Sequence, residues 1–230
     1  MPQTPVLHLP FPAESDPADV PIDLGELAAA VEAARGVPNG LAATGADGRV
    51  PAAQGAVIPL TVALPGGTID GQECFMVDNA SNPTYVWRFR YNAARIRWDF
   101  VGGAALRVAV AASETTTTIG SYVNLATLGP RITVPMGGDY SVRFGATVID
   151  SAADSQINVG IGIGDFAAGA VLAEARGHIS AANYHGTIIG EASLTGLTAG
   201  NELRVKYQHA IAGTLTVLNR FLAITPVRTS

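Results

Sequence analysis

The sequence predicts a mainly β protein: an N-terminal extended arm and short helix, a small β-hairpin module, and a C-terminal antiparallel jelly-roll-like β-sandwich. Three observations carry that prediction. After Gly103 the chain becomes a series of short apolar runs separated by Gly, Pro, Asn and Asp, at the spacing of antiparallel strands. Within those runs apolar residues alternate with polar or small ones. In "DYSVRFGATVID", Tyr140, Val142, Phe144, Ala146 and Val148 share one face, and in "ELRVKYQH" Leu203, Val205 and Tyr207 oppose Arg204, Lys206 and Gln208. Finally, 230 residues with 48% hydrophobic and 14% charged side chains can bury a sizeable core and are too apolar for a disordered chain.

The elements follow in order. Prolines at 2, 5, 10, 12, 17 and 21 fix φ and remove backbone donors, so the first segment is read as an extended arm. "DLGELAAAVEAARGVP" then reads as a helix. Asp23 is its N-cap, Glu26 completes a capping box, and Gly36 and Pro38 stop it. Leu24, Leu27 and Val31, with Ala34, form one apolar stripe. A helix of about three turns is marginal alone in water, so the stripe is expected to contact sister chains or another protein. Arm and helix make up 1–38. Residues 39–56 lack periodicity and read as a linker. Residues 57–103 form a small β module containing "AVIPLTVALPGG", "QECFMVDNA" and "YVWRFRYNAARIRWDFVGG", and 104–230 form the sandwich. The sandwich runs include "LRVAVAAS", "YVNLAT", "RITVP" and "LTVLNRFLAITPV".

The stretch 85–100 concentrates aromatic and arginine residues. A hairpin turning at Asn92-Ala93-Ala94 places Trp87, Phe89 and Tyr91 on one face, with Ile96, Trp98 and Phe100 on the matching face of the second arm. Arg88, Arg90, Arg95 and Arg97 take the opposite face. Nucleic-acid binding would need stacking aromatics and arginines on the same surface, and the formal charge of −5 also argues against it. The aromatics are read as a small core and the arginines as the part that could meet a protein partner.

"NVGIGIGDF" places Gly160, Gly162 and Gly164 at period two, unlike a phosphate-binding loop. Such a row lets an aromatic ring or a neighbouring subunit pack closely, so these glycines are candidate oligomer contacts. The histidines (His8, His178, His185, His209) supply at most a loose pair, short of the ligands a metal needs. Cys74 is the sole cysteine, and Lys206, the sole lysine, is read as compositional bias. Asp150 and Asp154 flank an expected turn. No GxSxG elbow occurs, and no enzyme, metal or cofactor is expected. No run approaches the roughly 20 apolar residues of a membrane span. The N-terminus shows no signal-peptide pattern, so synthesis in the cytoplasm without membrane insertion is expected.

Four segments together resemble a known family. "LHLPFPAESDPADVPIDLGELAAAVEA", "LAATGADGRVPAAQ", "DGQECFMVDNASNPTYVWRFRYNAARIRWDFVGG" and "YVNLATLGPRITVPMGGDYSVRFGA" with the later "TGLTAGNELRVKYQ" are similar, in this order, to tail-fibre and minor tail proteins of phages of actinobacterial, high-GC hosts. The resemblance implies a homotrimeric virion structural protein, anchored by its N-terminus to other tail or capsid proteins and projecting β domains outward. It carries over no catalytic residues. Contact with a host-surface glycan or protein would fall to loops 150–156 or 176–186. A capsid head fibre or decoration protein without receptor role is the alternative. A secreted trimeric module of the complement or tumour-necrosis-factor type and a capsule depolymerase rank below both.

Overall fold

A computed structural model of the protein describes Ala28, Ala29, Val31, Ala33 and residues 58–229. The first four are helical, with Val31 half-buried. Leu24 and Leu27 lie outside the described residues, as do most of the expected arm and the linker 39–56. The chain divides into two compact units, Met1–Ile58 and Pro59–Ser230. The second is mainly β.

Its strands are β1 (Leu60–Thr61), β2 (Glu73–Val77), β3 (Val86–Asn92), β4 (Arg97–Gly103), β5 (Leu106–Val110), β6 (Glu114–Thr116), β7 (Arg131–Thr133), β8 (Gly138–Asp150), β9 (Ser155–Ile163), β10 (Val171–Ile179), β11 (His185–Leu197), β12 (Glu202–His209) and β13 (Leu215–Thr229). One sheet runs β1-β2-β3-β4-β13-β8-β11, with β5 and β6 also paired to β13; the other runs β10-β9-β12-β7. From β5 onward the pairing is nested. β9 pairs with β10, β8 with β11, β7 with β12, and β5 and β6 with β13, all antiparallel. That nesting is a jelly roll folded into two facing sheets.

Alternation builds the core. Tyr140, Val142, Phe144, Ala146 and Val148 of β8 are buried, as are Ile157, Val159 and Ile161 of β9, Leu203, Val205 and Tyr207 of β12, and Leu215, Val217, Leu222 and Ile224 of β13. Each large apolar side chain removed from water contributes roughly 1.5–3 kcal/mol. β13 breaks its own alternation twice, between Leu218 and Phe221 and between Pro226 and Arg228, and the first break reorders the core. Leu218 pairs with Thr147 and Phe221 with Gly145, so Asn219 and Arg220 together oppose a single residue. Asn219 takes φ +51°, a left-handed conformation that asparagine tolerates. Strict alternation from Leu215 and Val217 would send Phe221 inward. The bulge sends Arg220 in and leaves Phe221 on the outer face, against Arg107.

The buried Arg220 is held on three sides. Its Nη1 donates to the carbonyls of Thr127 (3.1 Å) and Gly129 (3.4 Å). Nη2 lies 3.1 Å from Glu114 Oε2, near enough for an ion pair but out of line for a hydrogen bond. Burial pushes the Glu114 carboxyl up, and hydrogen bonds from Thr127 with the Arg220 charge outweigh it, so its pKa lies below the ordinary value.

The boundary expected at residue 103 does not divide the structure. β4 joins the sandwich sheet through Arg228 opposite Asp99, and the Trp98 amide donates to Thr229 Oγ1 at 3.1 Å. The free edge of β13 beyond β5 has unpaired backbone groups, and β4 supplies partners for them. Within the hairpin, Trp87, Phe89, Tyr91 and Trp98 are buried as expected, and Phe100 is half-buried. Trp87 Nε1 donates to the Ala104 carbonyl (2.8 Å) and Trp98 Nε1 to that of Pro65 (3.0 Å).

Two expectations are corrected. Ile96 belongs to the turn, with φ +53° and 80% exposure, because Asn92 O and Ala93 O take the amides of Arg95 and Ile96 and close a longer turn than Asn92-Ala93-Ala94. "YVNLAT" forms no strand. It touches β12 only at the isolated bridge Val123–Tyr207, because Tyr122 folds over the sheet face instead of keeping alternation. Trp87→Ala is expected to destabilise the protein by about 3–5 kcal/mol, as for a large buried aromatic, whereas Ile96→Ala should stay within about 0.5 kcal/mol. Urea midpoints of the two variants check this, and equal shifts would refute the assignment of inside and outside.

Candidate functional site

Four places were expected to carry contacts: the helix stripe, of which only Val31 is among the described residues, the hairpin arginines, the glycine row and the loops at one end of the sandwich. On the hairpin, Arg88 pairs with Glu73 (2.6 Å) and Arg95 with Asp99 (3.3 Å). Arg97 Nε donates to the Arg95 carbonyl at 3.3 Å. Arg90 makes no ion pair among the described residues and lines a polar cavity with Asp70 and Asp99. The four arginines therefore share a surface; among the described residues Arg90 and Arg97 make no ion pair, and of the two only Arg90 lines the cavity.

The glycine row is already occupied. A Cβ at Gly160 would lie 2.5 Å from the Tyr122 ring, and one at Gly162 would lie 2.4 Å from the Phe166 ring. Of the two occupants expected for this row, the structure seats the chain's own aromatics there. As direct subunit contacts Gly160 and Gly162 are thus corrected: their faces are covered from within. Gly164 is different. It turns the chain at φ +59°, with open space where a Cβ would be.

Lys206 holds this cover in place, a role that composition did not reveal. Its ammonium donates to the Phe166 carbonyl at 2.6 Å, meets Asp165 Oδ1 at 2.6 Å and stands 5.1 Å from the Phe166 ring centre. Beside it the Tyr122 hydroxyl donates to Glu174, which also pairs with Arg176. Burial, followed by the bond to Glu174, drives the Tyr122 phenol well above its ordinary pKa.

The expected loops 150–156 and 176–186 are narrowed by β8, β9, β10 and β11 to residues 151–154 and 180–184, and these two turns converge. Asn183 N donates to the Asp150 carbonyl at 2.7 Å, and Ser151 N to the Thr214 carbonyl at 3.1 Å, bringing in the loop between β12 and β13. At the root lies a buried cluster. Asp150 Oδ1 accepts from Ala152 N (3.0 Å), and Oδ2 accepts from Ser155 Oγ (2.7 Å) and faces His209 Nδ1 (3.2 Å). All three side chains are fully buried. Although Ser, Asp and His meet here, the serine donates to the aspartate instead of the histidine, so the order of contacts differs from that of a nucleophilic triad. The cluster fixes the loop roots, leaving Tyr184 (63% exposed), His178 and His185 at the surface. Among the described residues no group of three or more His, Cys, Asp or Glu side chains is placed to hold a metal. Burial pushes the Cys74 thiol up to about 11, so it stays protonated.

No family model matches the chain, and none of the curated proteins matches it. Among solved structures, Eiger TNF from S. frugiperda aligns at 12% identity over 63% of this chain and 92% of its own, with a TM-score of 0.32. Dimeric latent PorU from Porphyromonas gingivalis aligns at 10% identity over 55% of this chain and 13% of its own, with a TM-score of 0.31. The apo BiXyn10A CBM1 aligns at 13% identity over 68% of this chain and 94% of its own, with a TM-score of 0.23. Likenesses this low carry no function across.

Gly160→Ala is expected to cost about 1–3 kcal/mol by unseating Tyr122. In the Tyr122→Ala background the same substitution should cost markedly less, giving a coupling of about 0.5–3 kcal/mol in a denaturation cycle. Zero coupling would mean that something else limits the glycine. A pH effect follows from the surface carboxylates. Bonds from Arg228 to Asp139, from Lys206 to Asp165 and from Arg204 to Glu202 hold these groups below their ordinary values. Their contribution is therefore complete above the unfolded values and is lost as pH falls through the folded ones. Urea midpoints should hold level down to roughly pH 5 and fall below about pH 4, and Asp139→Asn should flatten that fall.

Proposed function

We propose that the protein is a structural, non-enzymatic component of a phage virion, a tail fibre or minor tail protein. Its N-terminal segment anchors it to other virion proteins and its sandwich projects outward as part of a homotrimer. The observation that carries this reading is the order of four family-like segments along the chain. Its third segment, "DGQECFMVDNASNPTYVWRFRYNAARIRWDFVGG", includes the β2–β4 region, bound directly to the sandwich. Host-surface contact is assigned to the convergent loops 150–156 and 176–186, where Tyr184 stands exposed on roots held by Asp150. A capsid head fibre is the second reading, favoured by the same segment order because similar sandwiches occur on heads and tails.

Deleting residues 1–38 in the encoding phage should remove the protein from purified virions while the truncated chain still folds, as immunoblotting and circular dichroism would show. Retention in the virion would overturn the anchor. Light scattering of the full chain should give three times the monomer mass. Tyr184→Ala should lower adsorption to host cells if the protein sits on the tail; unchanged adsorption with normal incorporation would favour the head.

A further inference from the structure

Arg90 is positioned by the hairpin yet left without an ionic partner. Its cross-strand neighbours are Glu73 on β2 and Asp99 on β4. Glu73 is engaged by Arg88 and Asp99 by Arg95. The Arg90 guanidinium instead lies over the Asp70–Gly71 turn, where Gly71 has φ +78° and a Cβ would stand 3.2 Å from Arg90 Nη2. Beside it opens a cavity of about 240 Å3 lined by Asp70, Arg90, Tyr91, Asn92, Asp99 and Val101.

The lining combines donors and acceptors. Asp70 Oδ1 takes the Ala93 amide at 2.9 Å, and its Oδ2 has no partner among the described residues. Asp99 Oδ2 takes Asn92 Nδ2 at 3.2 Å and faces Arg95, leaving Oδ1 likewise without a partner. Val101, 48% exposed, adds an apolar wall. An anion entering here would meet two carboxylates, and a metal cation would meet the guanidinium. A neutral ring bearing adjacent hydroxyl groups suits both, because each hydroxyl donates to a carboxylate oxygen and accepts from arginine, while its C–H face rests on Val101. The volume falls below the roughly 300–1,000 Å3 of drug-sized pockets, which limits the occupant to about one ring.

We infer that this cavity, between the Asp70 turn and the outer face of the β3–β4 hairpin, is a binding site for a single neutral sugar ring, with Arg90 as donor and Asp70 and Asp99 as acceptors. The inference rests on the virion reading only for where the sugar is met, on a cell-surface glycan. The binding itself belongs to the purified chain.

Saturation-transfer NMR on the full chain tests it with methyl α-glucopyranoside, methyl β-galactopyranoside and methyl α-arabinofuranoside. Transfer to the ring protons of at least one glycoside is expected. It should fall about tenfold in Arg90→Ala and in Asp70→Asn, the effect of losing a charge-assisted hydrogen bond, and persist in Arg143→Ala, whose partner Glu191 lies on another strand. No transfer to any of the three overturns the proposal. So does transfer unchanged in both cavity variants, or transfer abolished by equimolar inorganic phosphate or calcium chloride. Failure here leaves the virion role standing, since incorporation is read separately. Loss of incorporation-dependence on residues 1–38 with sugar binding intact would overturn the role and keep the site.

Discussion

Backbone pairing along both edges of β13 is the constraint on which the rest of the structure depends. One edge pairs with β8 from Leu215 to Thr229, and the other meets β6, β5 and β4 in turn. Buried amides and carbonyls must find partners, so a strand of this length recruits several short ones to complete its second edge. That requirement brings the hairpin module into the sandwich sheet. It also makes the Asn219 bulge consequential, since one inserted residue exchanges Phe221 for Arg220 in the interior. The core then has to satisfy a guanidinium, and Glu114 at the start of β6 meets it while the loop carrying Thr127 and Gly129 closes over it. A buried charge with one partner removed is costly, so this loop is tied to the sheet.

The outer faces follow a different logic. On the four-stranded sheet, the glycines of β9 leave room for Tyr122 and Phe166 to lie flat on the backbone, and Lys206 ties down the segment that carries Phe166. The sheet thereby acquires a partial third layer from the chain itself. On the hairpin no such layer exists, and charged residues remain at the surface. Three of its arginines are engaged locally. The fourth is held over a glycine turn beside two carboxylates, and that arrangement separates a candidate binding site from an ordinary solvated face.

At the loop end, rigidity comes from below. Asp150 accepts from Ala152 and Ser155 and faces His209, while its own carbonyl takes the amide of Asn183. One buried residue, through its carboxylate and its backbone carbonyl, thus ties the roots of three loops, which suits a surface that presents side chains such as Tyr184 without rearranging.

Much of this was legible in the residues. Period-two alternation identified the buried faces of β8, β12 and the hairpin, because an apolar side chain on a half-buried strand has only one face available to it. The glycine row announced close packing. The sequence by itself determined that the chain is mainly β, which faces are apolar, and that aromatics and arginines part company across the hairpin. Only the tertiary structure decided the rest: that Ile96 turns outward, that Arg220 displaces Phe221, that the β2–β4 module shares a sheet with the sandwich, that Lys206 is structural, and that Arg90 lies over the Asp70–Gly71 turn without an ion pair among the described residues. Apart from the Ile96 turn, which the nearby carbonyls of Asn92 and Ala93 close, each of these depends on which strand edges and charges meet across long separations in the chain. Local periodicity carries no record of such meetings, because alternation constrains a side chain's face and says nothing of its partner.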